Sequence, residues 1–151
     1  MKPELEYLMN LQVDLGEILS LGDTPKGERR VVSILGGTFE GPRLNGEVLS
    51  GGADWQIART DDVLEIDAQY TLRENSGGLI RIVSQGYRHG PPEILAAIAN
   101  DEEVNPDDYF FRTIMRFETG ASDLSWLNRT IAIAKGSRKQ LQVLLEAYEL
   151  L

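Results

Sequence analysis

The sequence predicts an all-β fold: a small antiparallel β-barrel of about eight or nine strands with one short helix near residues 92–100. Three observations carry this. The dominant hydrophobic period is two, the period of a strand with one buried face. Turn-forming pairs, among them Gly36-Gly37, Gly41-Pro42, Gly51-Gly52 and Gly77-Gly78, recur along the chain. Only one segment carries clear helix punctuation.

The first strand is expected over residues 5–15. Leu5, Tyr7, Met9, Leu11, Val13 and Leu15 alternate with polar residues, interrupted only by Leu8. Further strands are expected over residues 30–39, 43–49 and 54–59. The cleanest alternation runs from Leu64 to Leu72, where a slip of one residue would bury Glu65, Asp67, Gln69 and Thr71. Asn75-Ser76-Gly77-Gly78 then reads as a hairpin into a strand over residues 79–87. Asn45-Gly46 fits either a second hairpin or a bulge within a longer strand. Pro91-Pro92 followed by Glu93 opens the helix, and Asn100 ends it. The acidic stretch 101–108 is a solvated connection to strands over 109–119 and 127–135. The last segment, 140–150, mixes good helix formers with an alternating Leu144, Glu146, Tyr148, Leu150 pattern, so strand and helix both fit. A closing strand is the reading that completes a barrel.

Composition narrows the function. The 151 residues suit one domain, residues 1–151, large enough for its own core. Acidic residues outnumber basic ones 24 to 15, which disfavours nucleic acid and anionic membrane as partners. With no cysteine there are no thiolate sites and no disulfides. No segment reads as a signal peptide, and the apolar run 94–99 falls far short of the ~20 residues of a spanning helix. A cytoplasmic location is expected. Phosphate-loop, dinucleotide, zinc-hydrolase and serine-elbow motifs are all missing. His89 is the single histidine and reads as a surface loop residue, so a multi-histidine metal site within one chain is excluded and no metal is expected.

The candidate chemistry lies in glycine-rich and aromatic clusters. Gly51-Gly52-Ala53-Asp54-Trp55 permits close backbone approach and then supplies an acid and an indole. The same residues also suit a tight turn with a core tryptophan and a capping aspartate. Glu40, in Gly36–Pro42, is a candidate acid at a barrel mouth. Arg112, between Phe110 and Glu118, could hold an anion or pair with Glu118 or Asp54. Parity weighs against a luminal Arg112, because Phe111, Thr113, Met115 and Phe117 form the better core face. Trp126 and Asn128, at the expected start of the next strand, add an indole and an amide. A buried Asp54 would have a raised pKa, unless Arg88 or Arg112 stands close enough to lower it. Glu65 and Asp67 share a polar face and read as solvated.

An ordered set of pieces carries a family likeness. It runs Gly-Glu-Arg-Arg (27–30), Gly-Gly-Thr-Phe-Glu-Gly-Pro (36–42), Gly-Glu-Val-Leu (46–49) and Gly-Gly-Ala-Asp-Trp (51–55). It continues through Asp-Ala-Gln-Tyr-Thr-Leu (67–72), Gly-Tyr-Arg (86–88), Tyr-Phe-Phe-Arg-Thr (109–113), Phe-Glu-Thr (117–119) and Trp-Leu-Asn (126–128). Across its whole length the chain resembles the domain of unknown function 3237 family. It departs from that pattern at the Asn75–Gly78 hairpin, at Ser50 and Met115, and in the aliphatic Leu144-Leu145 tail. The resemblance implies a barrel like those of allene oxide cyclases and dirigent proteins, which act on hydrophobic small molecules without a cofactor. The expectation is a small-molecule-binding barrel, as a cofactor-independent cyclase, isomerase or lyase, with a non-catalytic ligand-binding or assembly module as the alternative. Convergence of Asp54, Trp55, Arg112 and Trp126 in one lumen is the geometry the first reading needs. A homo-oligomer is also expected, from the apolar face of the first strand and the habit of such barrels.

Overall fold

A computed structural model describes all of residues 1–151. The alternating segments become nine antiparallel strands: β1 (Leu5–Thr24), β2 (Gly27–Glu40), β3 (Asn45–Val48), β4 (Gly52–Ala58), β5 (Leu64–Glu74), β6 (Leu79–His89), β7 (Phe110–Thr119), β8 (Ile131–Lys139) and β9 (Gln142–Leu150). They close into a ring, because β1 pairs with both β2 and β9. β3 and β4 share one stave of the ring between β2 and β5. β3 pairs with Gly37–Glu40 and Leu72–Glu74, and β4 with Glu28–Ile34 and the first half of β5. The chain breaks between them at Gly51, whose φ of +103° is open to glycine and costly to other residues. Asn45-Gly46 begins β3 and makes no hairpin.

β1 is longer than the alternation suggested, running on to Thr24. A register shift between Tyr7 and Met9 puts both Leu8 and Met9 inside and leaves Leu5 and Tyr7 exposed. The inside face therefore does not follow one parity from Leu5 to Leu15. The Leu64–Leu72 pattern holds throughout, with Leu64, Ile66, Ala68, Tyr70 and Leu72 all buried.

Two connections close the barrel's ends. At one end, residues 122–129 form a 3-10 helix rather than the start of a strand, and β8 begins only at Ile131. In a 3-10 helix residues three apart share a face, so Leu124 and Leu127 both point inward and are buried. Leu44, from the β2–β3 loop, joins them with no exposed surface. Each such side chain contributes about 1.5–3 kcal/mol of burial. At the other end, the β6–β7 connection carries helix α1 (Pro92–Ala99), which buries Ile98 and packs Ile94 and Leu95 against the core. The proline-led start fits its place, since the first helical N–H groups need no partner within the helix. The C-terminal segment is the closing strand, β9. No helix is long and apolar enough to cross a membrane.

Candidate functional site

Inward parity on four strands leads from an apolar middle to a polar mouth beneath α1. On β6 the inward set runs Ile80, Ile82, Ser84 and then Arg88. On β8 it runs Ala132, Ala134, Gly136 and then Arg138. On β2 Arg30 shares the parity of buried Val32 and Ile34, and on β4 the inward pair is Asp54 and Gln56. Arg30, Gln56, Arg88 and Arg138 come from the strand ends nearest α1, whereas Asp54 and Ser84 stand level with Ala68, midway along the barrel. Between the arginines and the plugged end lies a cavity of about 40 Å³, bounded by Leu15, Ile34, Asp54, Tyr70, Ser84 and Phe111 among others.

Hydrogen bonds order this mouth. Arg30 Nη2 donates to Gln56 Oε1 at 2.7 Å, and Gln56 Nε2 donates to Asp54 Oδ2 at 2.8 Å. The backbone N–H of Asp67 donates to Asp54 Oδ1 at 2.9 Å. Close approach of β4 to β5 makes this possible, and Gly52 allows it: a Cβ there would stand 2.5 Å from the Gln69 carbonyl oxygen. The backbone N–H of Arg138 donates to the Tyr109 hydroxyl at 2.9 Å. Ser84 Oγ donates to Thr113 Oγ1 deeper in the lumen. Three buried polar atoms have no partner: Arg30 Nε, Arg88 Nε and the Tyr70 hydroxyl.

The charges are perturbed accordingly. Burial pushes the Asp54 carboxyl above its ordinary range, although the Gln56 and Asp67 hydrogen bonds and the Arg88 charge oppose the shift. Burial likewise lowers Arg88 to about 10, and the neighbouring Arg138 and Arg30 cations add to that. Arg138 is lowered mainly by burial. Burial and the nearby Asp54 raise the Tyr70 phenol. A carboxyl of this kind can hold or release a proton in a largely apolar enclosure, which is what general acid–base chemistry requires.

One family model, described as Protein of unknown function (DUF3237), matches residues 3–150. The chain belongs to this family. It is 33% identical over 153 residues to a UPF0311 protein of Rhodopseudomonas palustris, with complete coverage of both chains. A crystal structure from Acinetobacter baumannii, described as a beta-barrel like protein, is similar at 40% identity with a TM-score of 0.88, covering 100% of this chain and 98% of that one. A more distant relative, PR-toxin biosynthesis cluster protein 7 of Penicillium roqueforti, is 26% identical over 149 residues, covering 83% of this chain and 78% of the relative.

Of the residues singled out from sequence, this DUF3237 barrel brings only Asp54 and Arg88 to one lumen. Trp55 is 46% exposed on the outer wall, because adjacent strand residues face opposite sides and Asp54 faces in. Arg112 is also outside, donating to the Phe111 carbonyl at 2.9 Å and lying 5.2 Å from the Phe110 ring centroid. It pairs with neither Glu118 nor Asp54, and Phe111, Thr113, Met115 and Phe117 take the inside as their parity requires. Trp126 sits at the plugged end with the Arg43 guanidinium 3.9 Å from its ring centroid. Asn128 braces the end of β7, accepting from the Thr119 N–H at 2.7 Å and donating to the Thr119 carbonyl at 2.9 Å. Glu40 is exposed on a polar outer cleft of about 920 Å³. The four-residue convergence expected from sequence is therefore corrected: the luminal partners of Asp54 are Gln56, Tyr70, Arg88, Arg30 and Arg138.

His89 is exposed and stacks on Phe110 with centroids 4.7 Å apart. Two concavities on the outer wall are wider than the luminal cavity, but the unpartnered buried polar atoms belong to inward-facing residues of the lumen. Arg30 and Tyr70 lie within pieces that carry the family likeness but were not singled out as site residues, and Gln56 and Arg138 lie outside those pieces. Parity could have found Arg30 and Tyr70. Arg138 lay beyond the expected strand end at 135.

Proposed function

We propose that this barrel binds a small, largely hydrophobic molecule in its lumen and moves a proton on it through Asp54, as a cofactor-independent isomerase or cyclase would. The observation that carries the reading is a carboxyl of raised pKa facing a cavity walled by aliphatic side chains, Phe111 and the unpartnered Tyr70 hydroxyl. Isomerisation and cyclisation shift a proton within one molecule, so they need an acid–base group and a shaped enclosure but no oxidant. The Penicillium roqueforti relative's link to a biosynthesis cluster supports a small-molecule role.

The cavity of about 40 Å³ has room for a few atoms, whereas ligand pockets run to about 300–1,000 Å³. Entry therefore requires α1 to lift, and its eight residues hold the barrel mainly through Ile94, Leu95 and Ile98. Thermal-shift screening against hydrophobic ketones, phenols and lactones tests binding. Stabilisation by a hit is expected to vanish in Ala68→Leu, which fills the cavity. Asp54-dependent exchange of a hit's protons for deuterium in D2O tests catalysis. Asp54→Asn should slow it by about 10²–10⁴-fold. Hits that still protect Ala68→Leu would contradict luminal binding.

Assembly is a second reading, favoured by a different surface. Trp55, Tyr87, Phe110 and Ile114 are each at least 40% exposed and border one outer concavity. A second copy of this chain is the proposed occupant. The first strand, which suggested self-association from sequence, commits Leu8, Met9, Leu11, Val13 and Leu15 to the core instead.

A further inference from the structure

We infer that the luminal ligand carries a planar oxyanion, a carboxylate before all, which docks on Arg30, Arg88 and Arg138 at the mouth while its apolar body points down the lumen. The inference rests on the luminal-binding reading and names the substrate class of that site.

Three arginines with inward parity stand at one barrel end, on β2, β6 and β8, with Arg138 at the rim, where its Nε donates to the Gln140 carbonyl at 2.6 Å. None has a carboxylate within ion-pairing distance. All five ion pairs of the protein lie elsewhere and use Arg43, Arg59, Arg73 and Lys135. The chain has 24 acidic residues, so carboxylates are not scarce. Asp54 acts on Arg88 and Arg138, and Asp101 on Arg138, but Asp54 is already engaged by Gln56 and the Asp67 N–H. The Nε–H groups of Arg30 and Arg88 are buried with no acceptor. Leaving such donors unmet destabilises a fold, and crowding three cations destabilises it further. Burial first, and then the neighbouring Arg138 and Arg30 cations, lower the pKa of Arg88.

A guanidinium presents its donors as a flat fork that matches a carboxylate with two parallel hydrogen bonds. One ligand carboxylate would satisfy the orphaned donors and offset the mutual repulsion. Behind the arginines the wall is apolar, through Leu15, Ile34, Ile66, Phe111 and Val143. The Tyr70 hydroxyl, only 5% exposed as a residue and unpartnered, waits deeper for a polar atom at the ligand's other end. Polarity along the lumen thus reads anion, carbon, hydroxyl or carbonyl.

The test uses the full chain and matched probes: 3-phenylpropionate and hexanoate against 3-phenylpropionamide and hexanamide, by calorimetry and thermal shift. The acids are expected to bind about tenfold or more tightly than the amides. Arg88→Met should erase that preference and raise the melting temperature of the free protein, since it removes an uncompensated charge. Arg138→Met, at a less buried position, should erase the preference as well. Equal binding of acids and amides would overturn the anion assignment while leaving luminal binding in place. No binding by either series, or binding unaffected by Ala68→Leu, would overturn both. A lower melting temperature for free Arg88→Met would assign the arginine to the fold and overturn the inference.

Discussion

Replacing Asp54 by asparagine separates a desolvated charge from the hydrogen bonds that hold it. The amide side chain would keep an oxygen for the Asp67 N–H, now 2.9 Å from Oδ1. It would also turn an NH2 group towards Gln56 Nε2, which now donates to Oδ2 at 2.8 Å. Gln56 cannot flip to suit, because its Oε1 already accepts from Arg30 at 2.7 Å. A buried donor is left without an acceptor, which costs about 1–3 kcal/mol. For a chain of this size that is a fall of several degrees in melting temperature. The pH dependence has a definite sign. Asp54's folded pKa lies above the ordinary value of 3.8, so the native state binds the extra proton between those two values. Wild-type stability from this group therefore falls as pH rises through that window and is flat above it. The exposed carboxylates Asp61 and Asp107, held low by Arg59 and Lys135, act oppositely but are common to both proteins. The stability gap between wild type and Asp54→Asn should accordingly be widest near pH 4 and narrow as pH rises. Urea unfolding of both proteins from about pH 4 to pH 8 measures it. A gap that widens with pH would mean that Asp54 is a stabilised anion, and the raised-pKa account would be wrong.

Three further outcomes follow from local geometry. Gly52→Ala drives a Cβ to 2.5 Å from both the Gln69 carbonyl oxygen and Tyr70 Cβ, so it should destabilise by about 1–3 kcal/mol in chemical denaturation. Asn128→Ala removes both bonds to the Thr119 backbone at the plugged end. It should lower stability by about 1–2 kcal/mol and leave ligand affinity unchanged by calorimetry. Ile114→Glu places a charge in the outer apolar concavity and should convert any oligomer to a 16.8 kDa species in sedimentation, with ligand binding intact.

Parity decided what could be read in advance. Leu64–Leu72 alternates without a break, and its inside face was legible residue by residue. The same rule already ruled out a lumen holding both Asp54 and Trp55, since neighbours on a strand point apart. Motif reading joined them because they are adjacent in a glycine-led cluster. Bulges set the limit elsewhere. The shift at Leu8 moved Leu5 and Tyr7 outside, and its one mark in the sequence is the apolar Leu8 that interrupts the alternation. Trp126 and Asn128 were misplaced for another reason: Leu124 and Leu127 sit at a 3-10 spacing that also fits the lead-in to a strand. The arginine mouth is assembled from β2, β6 and β8, so only the closed ring brings it together.

The central claim is that ligand enters the lumen beneath α1 and meets the polar mouth there. Methyl-resolved NMR of the full chain, titrated with 3-phenylpropionate, tests it most directly because methyl groups mark the two faces separately. Shifts are expected at Val13, Leu15, Ile34 and Val143, which line the cavity, and at Ile98 on α1. Shifts confined to Ile57, Ile114 and Ile133 would put the ligand in the outer concavity instead and contradict the claim.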